Sequence, residues 1–151
     1  MSKQVVLSLY DYTGEALKPW AEEGYTCHAF DIQHTDTEAT FDNTQFYAGG
    51  GSITYRHADL HKQETYQALL KEFGDNGDLV VFGMGFPVCT DMAVSGAAHF
   101  KAKAKAYSCF QMDAVGYAVD CADFFEDLGV PYFIENPVSV LATQWRKPDY
   151  R

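Results

Sequence analysis

Long apolar runs are missing from this sequence. No stretch approaches the roughly 20 apolar residues that a membrane-spanning helix needs, so a membrane protein is not expected. Met1-Ser2-Lys3-Gln4 runs straight into a strand-like segment, so no signal peptide is expected and the default location is cytoplasmic. Cysteine is sparse. Cys27, Cys89, Cys109 and Cys121 form no C-x-x-C pair and no disulfide-rich spacing, which points to reduced thiols. The five histidines are scattered, and only His57 and His61 stand four apart. Asp59-Leu60 between them reads as the end of a strand, so no zinc or other metal site is expected. Positive charge is also short, with 11 Lys and Arg against 21 Asp and Glu, a net charge of −10 and a pI near 4.7. A protein that holds DNA by its phosphates needs a basic surface, so a large non-specific DNA-binding face is excluded. A local patch remains at Lys101, Lys103 and Lys105, with no acidic residue between them.

What is present suits a packed globule. A chain of 151 residues, 47% hydrophobic and 15% aromatic, is long enough for one α/β domain and short for two. Gln4 to Tyr10 reads as a strand around Val5-Val6-Leu7, and Gly14 to Glu23 as a helix with Leu17 and Trp20 on one face, stopped by Gly24. Thr26 to Ile32 reads as the second strand. Gln33 to Gly51 is polar, Gly-rich at its end, and reads as a long excursion. A short strand at Ile53 to Tyr55 leads to Asp59. The spacing of Tyr66, Leu69, Leu70 and Phe73 predicts a helix over Lys62 to Phe73, ended by Gly74-Asp75-Asn76-Gly77. Leu79 to Phe82 reads as a central strand, followed by a loop to about Gly96. A helix from about Tyr107 to Leu128 and a strand from Pro131 to Ile134 complete the pattern. The alternation predicts right-handed βαβ units, a mostly parallel sheet and helices on both faces.

In such sheets ligands bind beyond the carboxyl ends of the strands. Asp11, Asp31, Asp59, Cys89 and Glu135 each fall at or just past a predicted strand end. Tyr10-Asp11-Tyr12-Thr13-Gly14 reads either as a turn whose backbone approaches a cofactor or as a plain strand-to-helix turn. Asp31 reads as an acceptor for ribose hydroxyls or as a cap; its place roughly 20 residues after the glycine turn favours the ribose. Asp59 is a looser candidate for the amino group of an adenine. Cys27, Cys109 and Cys121 lie within apolar patterns and read as core. Cys89, in Phe86-Pro87-Val88-Cys89-Thr90-Asp91, faces the expected ligand crevice, where a thiolate can attack. Glu135 and Asn136 read either as a pair able to recognise a pyrimidine edge or as a strand-ending turn before Pro137.

In this order the segments resemble the S-adenosylmethionine-dependent DNA cytosine-5 methyltransferases, especially the small forms typical of phage genomes. Leu9 to Gly14 resembles the first cofactor-binding motif, Pro87-Val88-Cys89-Thr90 stands where that family has Pro-Cys-Gln, and Gly96 keeps the spacing after the cysteine. Glu135-Asn136-Pro137 stands for Glu-Asn-Val, and Phe133 to Val138 through Trp145 to Tyr150 is the stretch most like the phage forms. The departures are Val88 before the cysteine, Thr90 after it, Pro137, and Tyr12 and Glu15 in the first motif. The resemblance implies a Rossmann-like methyltransferase fold with S-adenosyl-L-methionine held by Tyr10, Asp11, Tyr12, Thr13, Gly14, Asp31, Ile32, Asp59, Leu60 and Pro87.

It also implies a chemistry. Carbon 5 of cytosine is a poor nucleophile, and addition of the Cys89 thiolate to carbon 6 makes it an enamine able to attack a methyl group. Glu135 would hydrogen-bond ring nitrogen 3 and the amino group, and Asn136 would support the loop carrying Cys89. A base in duplex DNA would have to be flipped out. The substrate is DNA or a free cytosine nucleotide. Up to Arg151 nothing corresponds to that family's later arginine-bearing motif, its target-recognition region or the strands after the fifth. The expectation is therefore a fragment, a natural short form, or a chain completed by a partner or by self-association across an open sheet edge. Two other readings stand: a non-catalytic cofactor- or nucleotide-binding module, and an unrelated nucleotide-binding α/β protein.

Overall fold

A computed structural model describes residues 3–35, 43–75, 79–87, 110–135 and 149, with only the backbone for residues 110–114. Its centre is a six-stranded sheet. The strands are β1 (Gln4–Leu9), β2 (Thr26–Asp31), β3 (Thr44–Phe46), β4 (Ser52–His57), β5 (Leu79–Gly85) and β6 (Tyr132–Ile134). Their order across the sheet is β3-β4-β2-β1-β5-β6. Every neighbouring pair is parallel except β3 with β4. Leaving out β3, the parallel strands lie in the order 3-2-1-4-5, which is compatible with a Rossmann-like sheet.

β1 is the central strand, and its Val5, Val6, Leu7 and Leu9 are all buried. A strand covered on both faces needs a continuous apolar run rather than an alternating one. Val6 packs with Leu17, Ala21, Cys27, Ala29, Ile53 and Met84 under helix α1 (Lys18–Glu22). Val5, Leu7 and Leu9 pack on the opposite face beneath α2 (Gln63–Asp75) and α3 (Phe110–Leu128), with Tyr66, Leu69, Phe73, Phe124 and Phe125. The chain steps one way from β1 to β2 and the other way from β4 to β5 and β6. Crossovers of one hand then put α1 on one face and α2 and α3 on the other. Cys27 and Cys121 are fully buried, as their apolar settings predict, and burial pushes both thiols up to about 12. Cys109 lies outside the described residues.

Several sequence expectations are corrected. The helix predicted over Gly14 to Glu23 is a 3-10 turn at Glu15–Leu17 followed by the five residues of α1. Pro19 is the cause: it has no N–H to give back along the chain, so it stands only in the first turn of a new helix. Between β2 and β4 the described part of the expected loop carries an antiparallel strand, β3. Thr44 Oγ1 and Thr54 Oγ1 pair across it at 2.9 Å. β4 starts at Ser52 and reaches His57, because its register with β2 holds for six residues. α2 runs through Gly74 to Asp75 instead of stopping before them.

Two glycines of β5 let α3 sit close. Gly83 lies directly beneath the Phe125 ring, and a Cβ at Gly85 would stand 3.0 Å from Ile134 and 3.5 Å from Cys121. A β-bulge makes this possible. Val5 pairs with Val80 but Val6 pairs with Phe82, so Val81 is the extra residue and Gly83 turns to the α3 face. Among the described residues no helix is long and apolar enough to cross a membrane.

Candidate functional site

The order of the strands reverses between β1 and β5, which makes the carboxyl ends of these two strands the expected ligand crevice. The backbone ladders continue past the strand ends there. Asp11 N–H donates to Phe30 O (3.0 Å), Phe86 N–H to Leu9 O (3.0 Å) and Glu135 N–H to Gly85 O (2.9 Å). The turn after β1, the segment after β2 and the first residues after β5 and β6 therefore leave the sheet side by side. Tyr10 to Gly14, Asp31, Ile32, Asp59, Leu60, Pro87 and Glu135 all lie along this one end of the sheet. Cys89 and Asn136 lie outside the described residues.

The turn after β1 is held from within. Asp11 is almost fully buried; its Oδ2 accepts from Ser8 Oγ (2.7 Å) and its Oδ1 from Gly14 N–H (2.8 Å). Both carboxylate oxygens are thus engaged in shaping the turn, and the Gly14 N–H is not free for a ligand. Gly14 has φ +71°, and a Cβ there would stand 2.9 Å from the Tyr55 ring, so glycine is required on both counts. Tyr55 crosses over the turn and donates to Thr13 O (3.3 Å). His34 closes the same corner. Its Nε2–H donates to Asp11 O (3.1 Å), its ring stacks on Tyr12 (5.4 Å, 19°) and it meets Tyr55 edge-on (5.3 Å).

Asp31, at the end of β2, is 8% exposed. Its Oδ1 accepts from Gln33 N–H (2.8 Å), and its Oδ2 takes no hydrogen bond from the described residues. Ile32 beside it is 57% exposed, an apolar side chain held out at the crevice. Asp59 follows β4 in a loop tied at several points. His61 N–H donates to its Oδ1 (3.1 Å), Thr65 Oγ1–H donates to its backbone carbonyl (2.7 Å), and Lys62 Nζ lies 3.8 Å from Oδ2. Leu60 is buried beneath it. His57 and His61 do not converge. His57 Nδ1–H donates to His34 O (3.1 Å), whereas His61 stacks on Tyr117 (3.7 Å, 3°). Among the described residues no group of three His, Cys, Asp or Glu side chains is placed to hold a metal ion.

Tyr10 has φ +58°, the one non-glycine residue in the left-handed region among those described. Such a backbone costs a residue with a Cβ roughly 1–2 kcal/mol. The ring packs against the α2 and α3 core, and the hydroxyl donates to Leu60 O (3.1 Å). Burial pushes the phenol far above its ordinary range, so it is a neutral donor at physiological pH.

On the other side of the switch point, Pro87 is buried and Glu135 exposed, and Ile134 pairs with Gly85 in the ladder. Phe86 meets Phe133 edge-on at 5.9 Å. Pro87 leads toward Cys89, so the two arms that carry the predicted nucleophile and the predicted base-reading pair start from neighbouring strands. Two hollows outlined by the described residues lie elsewhere. One of about 390 Å³ is lined by Pro19, Trp20, Glu23 and Tyr25, and one of about 330 Å³ lies among Leu70, Phe73, Leu79, Asp127 and Val130, both at the amino end of the sheet. The candidate site is taken at the carboxyl end because the polar strand-end groups lie along it.

Ser8, His34, Tyr55 and the hydroxyl of Tyr10 were not singled out by the sequence. Only Ser8, three residues before Asp11, offered a local signal; His34 and Tyr55 meet the turn from 23 and 42 residues away, and the partner of the Tyr10 hydroxyl lies 50 residues away. No protein-family model matches this chain, and neither a curated protein nor a solved structure matches it.

Proposed function

We propose that this chain binds S-adenosylmethionine at the carboxyl ends of β1, β2 and β4 and methylates carbon 5 of cytosine. The observation that carries the reading is the arrangement of the sheet. Its 3-2-1-4-5 order puts Asp31, Asp59 and the Tyr10–Gly14 turn on one side of the switch point, with Pro87 and Glu135 on the other. The described residues fit the adenosyl part of the cofactor. Asp31 has a carboxylate oxygen to offer ribose hydroxyls, Ile32 offers an apolar surface beside it, and Asp59 stands on the next strand end. The cofactor, when bound, supplies an electrophilic methyl group. Glu135 is the hydrogen-bonding partner of the pyrimidine in this reading, supported by Asn136. Cys89 is the nucleophile that adds to carbon 6 and is expelled when a water-linked base removes the carbon-5 proton.

The test is intact-mass spectrometry after incubation with S-adenosylmethionine and a 5-fluorocytosine substrate, offered as an oligonucleotide and as the free nucleotide. Fluorine cannot leave as a cation, so turnover stops at a covalent adduct. An adduct lost in Cys89→Ser is the expected result, and the form that yields it identifies the substrate. A second reading, a cofactor- or nucleotide-binding module without turnover, is favoured by the closed turn after β1, where Asp11 and Tyr55 already occupy the surroundings of Gly14. Binding of adenosylhomocysteine with no adduct from either substrate would select it.

A further inference from the structure

The turn after β1 and the loop after β4 are separated by β2, yet one side chain joins them. Tyr10 reaches under the sheet end to the Leu60 carbonyl, 50 residues away in the chain. Its backbone is held at φ +58°, a conformation that sends the side chain toward the α2 and α3 core instead of into the turn. A residue kept in an unfavourable backbone region marks a place where the surrounding structure over-determines it. Leu60 follows Asp59 in the chain and precedes His61, whose ring lies 5.9 Å from that of Tyr10 and stacks on Tyr117 of α3. Asp59 is fixed in turn by the His61 N–H and Thr65 hydroxyl. Tyr10 ties this platform to the β1 turn through this hydrogen bond and through the approach of its ring to His61.

We propose that Tyr10 is a positioning residue for the adenosyl end of the site. Its hydroxyl sets the Asp59–Leu60 loop against the Asp11–Gly14 turn before any ligand arrives. The inference rests on the cofactor reading above and deepens it, because it makes the Tyr10 ring a clamp between two binding segments and not itself a ligand contact. Loops ordered in advance bind with less loss of freedom, so removing the clamp is expected to weaken binding without removing any contact to the ligand.

Tyr10→Phe keeps the ring and the backbone and deletes only the hydroxyl, which donates to the Leu60 carbonyl and faces Tyr66. It is compared with Cys121→Ala, which removes from the same core the thiol facing Tyr66 and leaves both the Tyr10 hydroxyl and the Leu60 carbonyl in place. Dissociation constants for adenosine and for adenosylhomocysteine, thermal midpoints, and amide hydrogen exchange at residues 59–62 are measured for all three proteins. A lost hydrogen bond to a part-buried carbonyl corresponds to about three- to tenfold. The expected result is that Tyr10→Phe weakens both ligands by this factor and speeds exchange in the loop. Cys121→Ala is expected to lower the thermal midpoint with unchanged affinity. Unchanged affinity in Tyr10→Phe overturns the clamp and leaves the cofactor reading intact. Equal weakening in both variants also overturns it, because the role is then general stability. Failure of the unaltered protein to bind either ligand overturns the cofactor reading and the clamp together.

Discussion

Arg56 and Glu72 show how far side-chain chemistry can act away from the crevice. The guanidinium makes a two-pronged ion pair with Glu72 at 2.6 and 2.7 Å, which joins β4 to α2. It also lies over the Phe30 ring at 4.9 Å and near Phe73 at 5.9 Å. Hydrogen bonding to Arg56 holds the Glu72 carboxyl below its ordinary value, against the opposing effect of burial. A carboxyl with a lowered folded-state pKa contributes stability above its unfolded pKa and loses it as pH falls through the folded value. Both side chains are part-exposed, so solvent screens the pair and the contribution is about 1 kcal/mol. Glu72→Gln is expected to unfold at lower urea concentration at pH 7. The gap from the unaltered protein should narrow as pH falls below about 4, where the unfolded-state carboxyl protonates first, and close once the folded-state carboxyl protonates too. A gap of constant size across that range would show that the charge on Glu72 is not its source. Single residues at the crevice were readable only as types. Asp31 and Asp59 were visible as acids at strand ends, but the engagement of both Asp11 oxygens by Ser8 and Gly14 was not, because it depends on how the turn closes.

Among the elements, β5 and α3 depend most on each other. Gly83 and Gly85 remove two side chains from the sheet face that α3 covers, and the fully buried Phe125 ring fills the space over Gly83. Phe125 is itself hemmed in by Phe124 at 5.3 Å and Tyr132 at 5.5 Å, so it has little room to move aside. Gly83→Ala is expected to destabilise the protein by about 1–3 kcal/mol through overpacking, measured as a shift in the urea midpoint with an unchanged slope. An unchanged midpoint would mean that α3 shifts at no cost. The periodic apolar positions of α2 were legible in advance: Tyr66, Leu69 and Phe73 are buried as their spacing requires. The bulge at Val81 was not, since nothing local distinguishes Val80-Val81 from an unbroken strand and only the pairing with β1 reveals the extra residue. β3 was missed for a related reason. Its three residues carry too little apolar pattern to read as a strand, and pairing with β4 supplies the order.

For the molecule as a whole, charge limits the partners. A net charge of −10 repels the phosphates of duplex DNA at distances beyond direct contact. Non-specific binding of a duplex oligonucleotide at about 0.15 M salt is therefore expected to be weaker than the roughly 10⁻⁴–10⁻⁶ M usual for DNA-binding proteins. Fluorescence anisotropy over a salt series checks this. Tight binding with a steep salt dependence would instead mean that the lysines at 101, 103 and 105 act as a concentrated phosphate site.

The sequence by itself determined the α/β class, the apolar run of β1, the burial of Cys27 and the strand-end positions of the acidic residues, whereas the strand read as central, from Leu79, lies beside the edge strand β6. Each of these follows from local periodicity and composition, which act through neighbours a few positions apart. The tertiary structure decided the order of the strands, the antiparallel edge, the closure of the turn by Tyr55 and His34, and the reach of Tyr10 to Leu60. The closure of the turn and the reach of Tyr10 join residues 23 to 50 positions apart. Such contacts form only when the sheet is assembled, because the entropy of closing such long loops is recovered by packing and not by local preference.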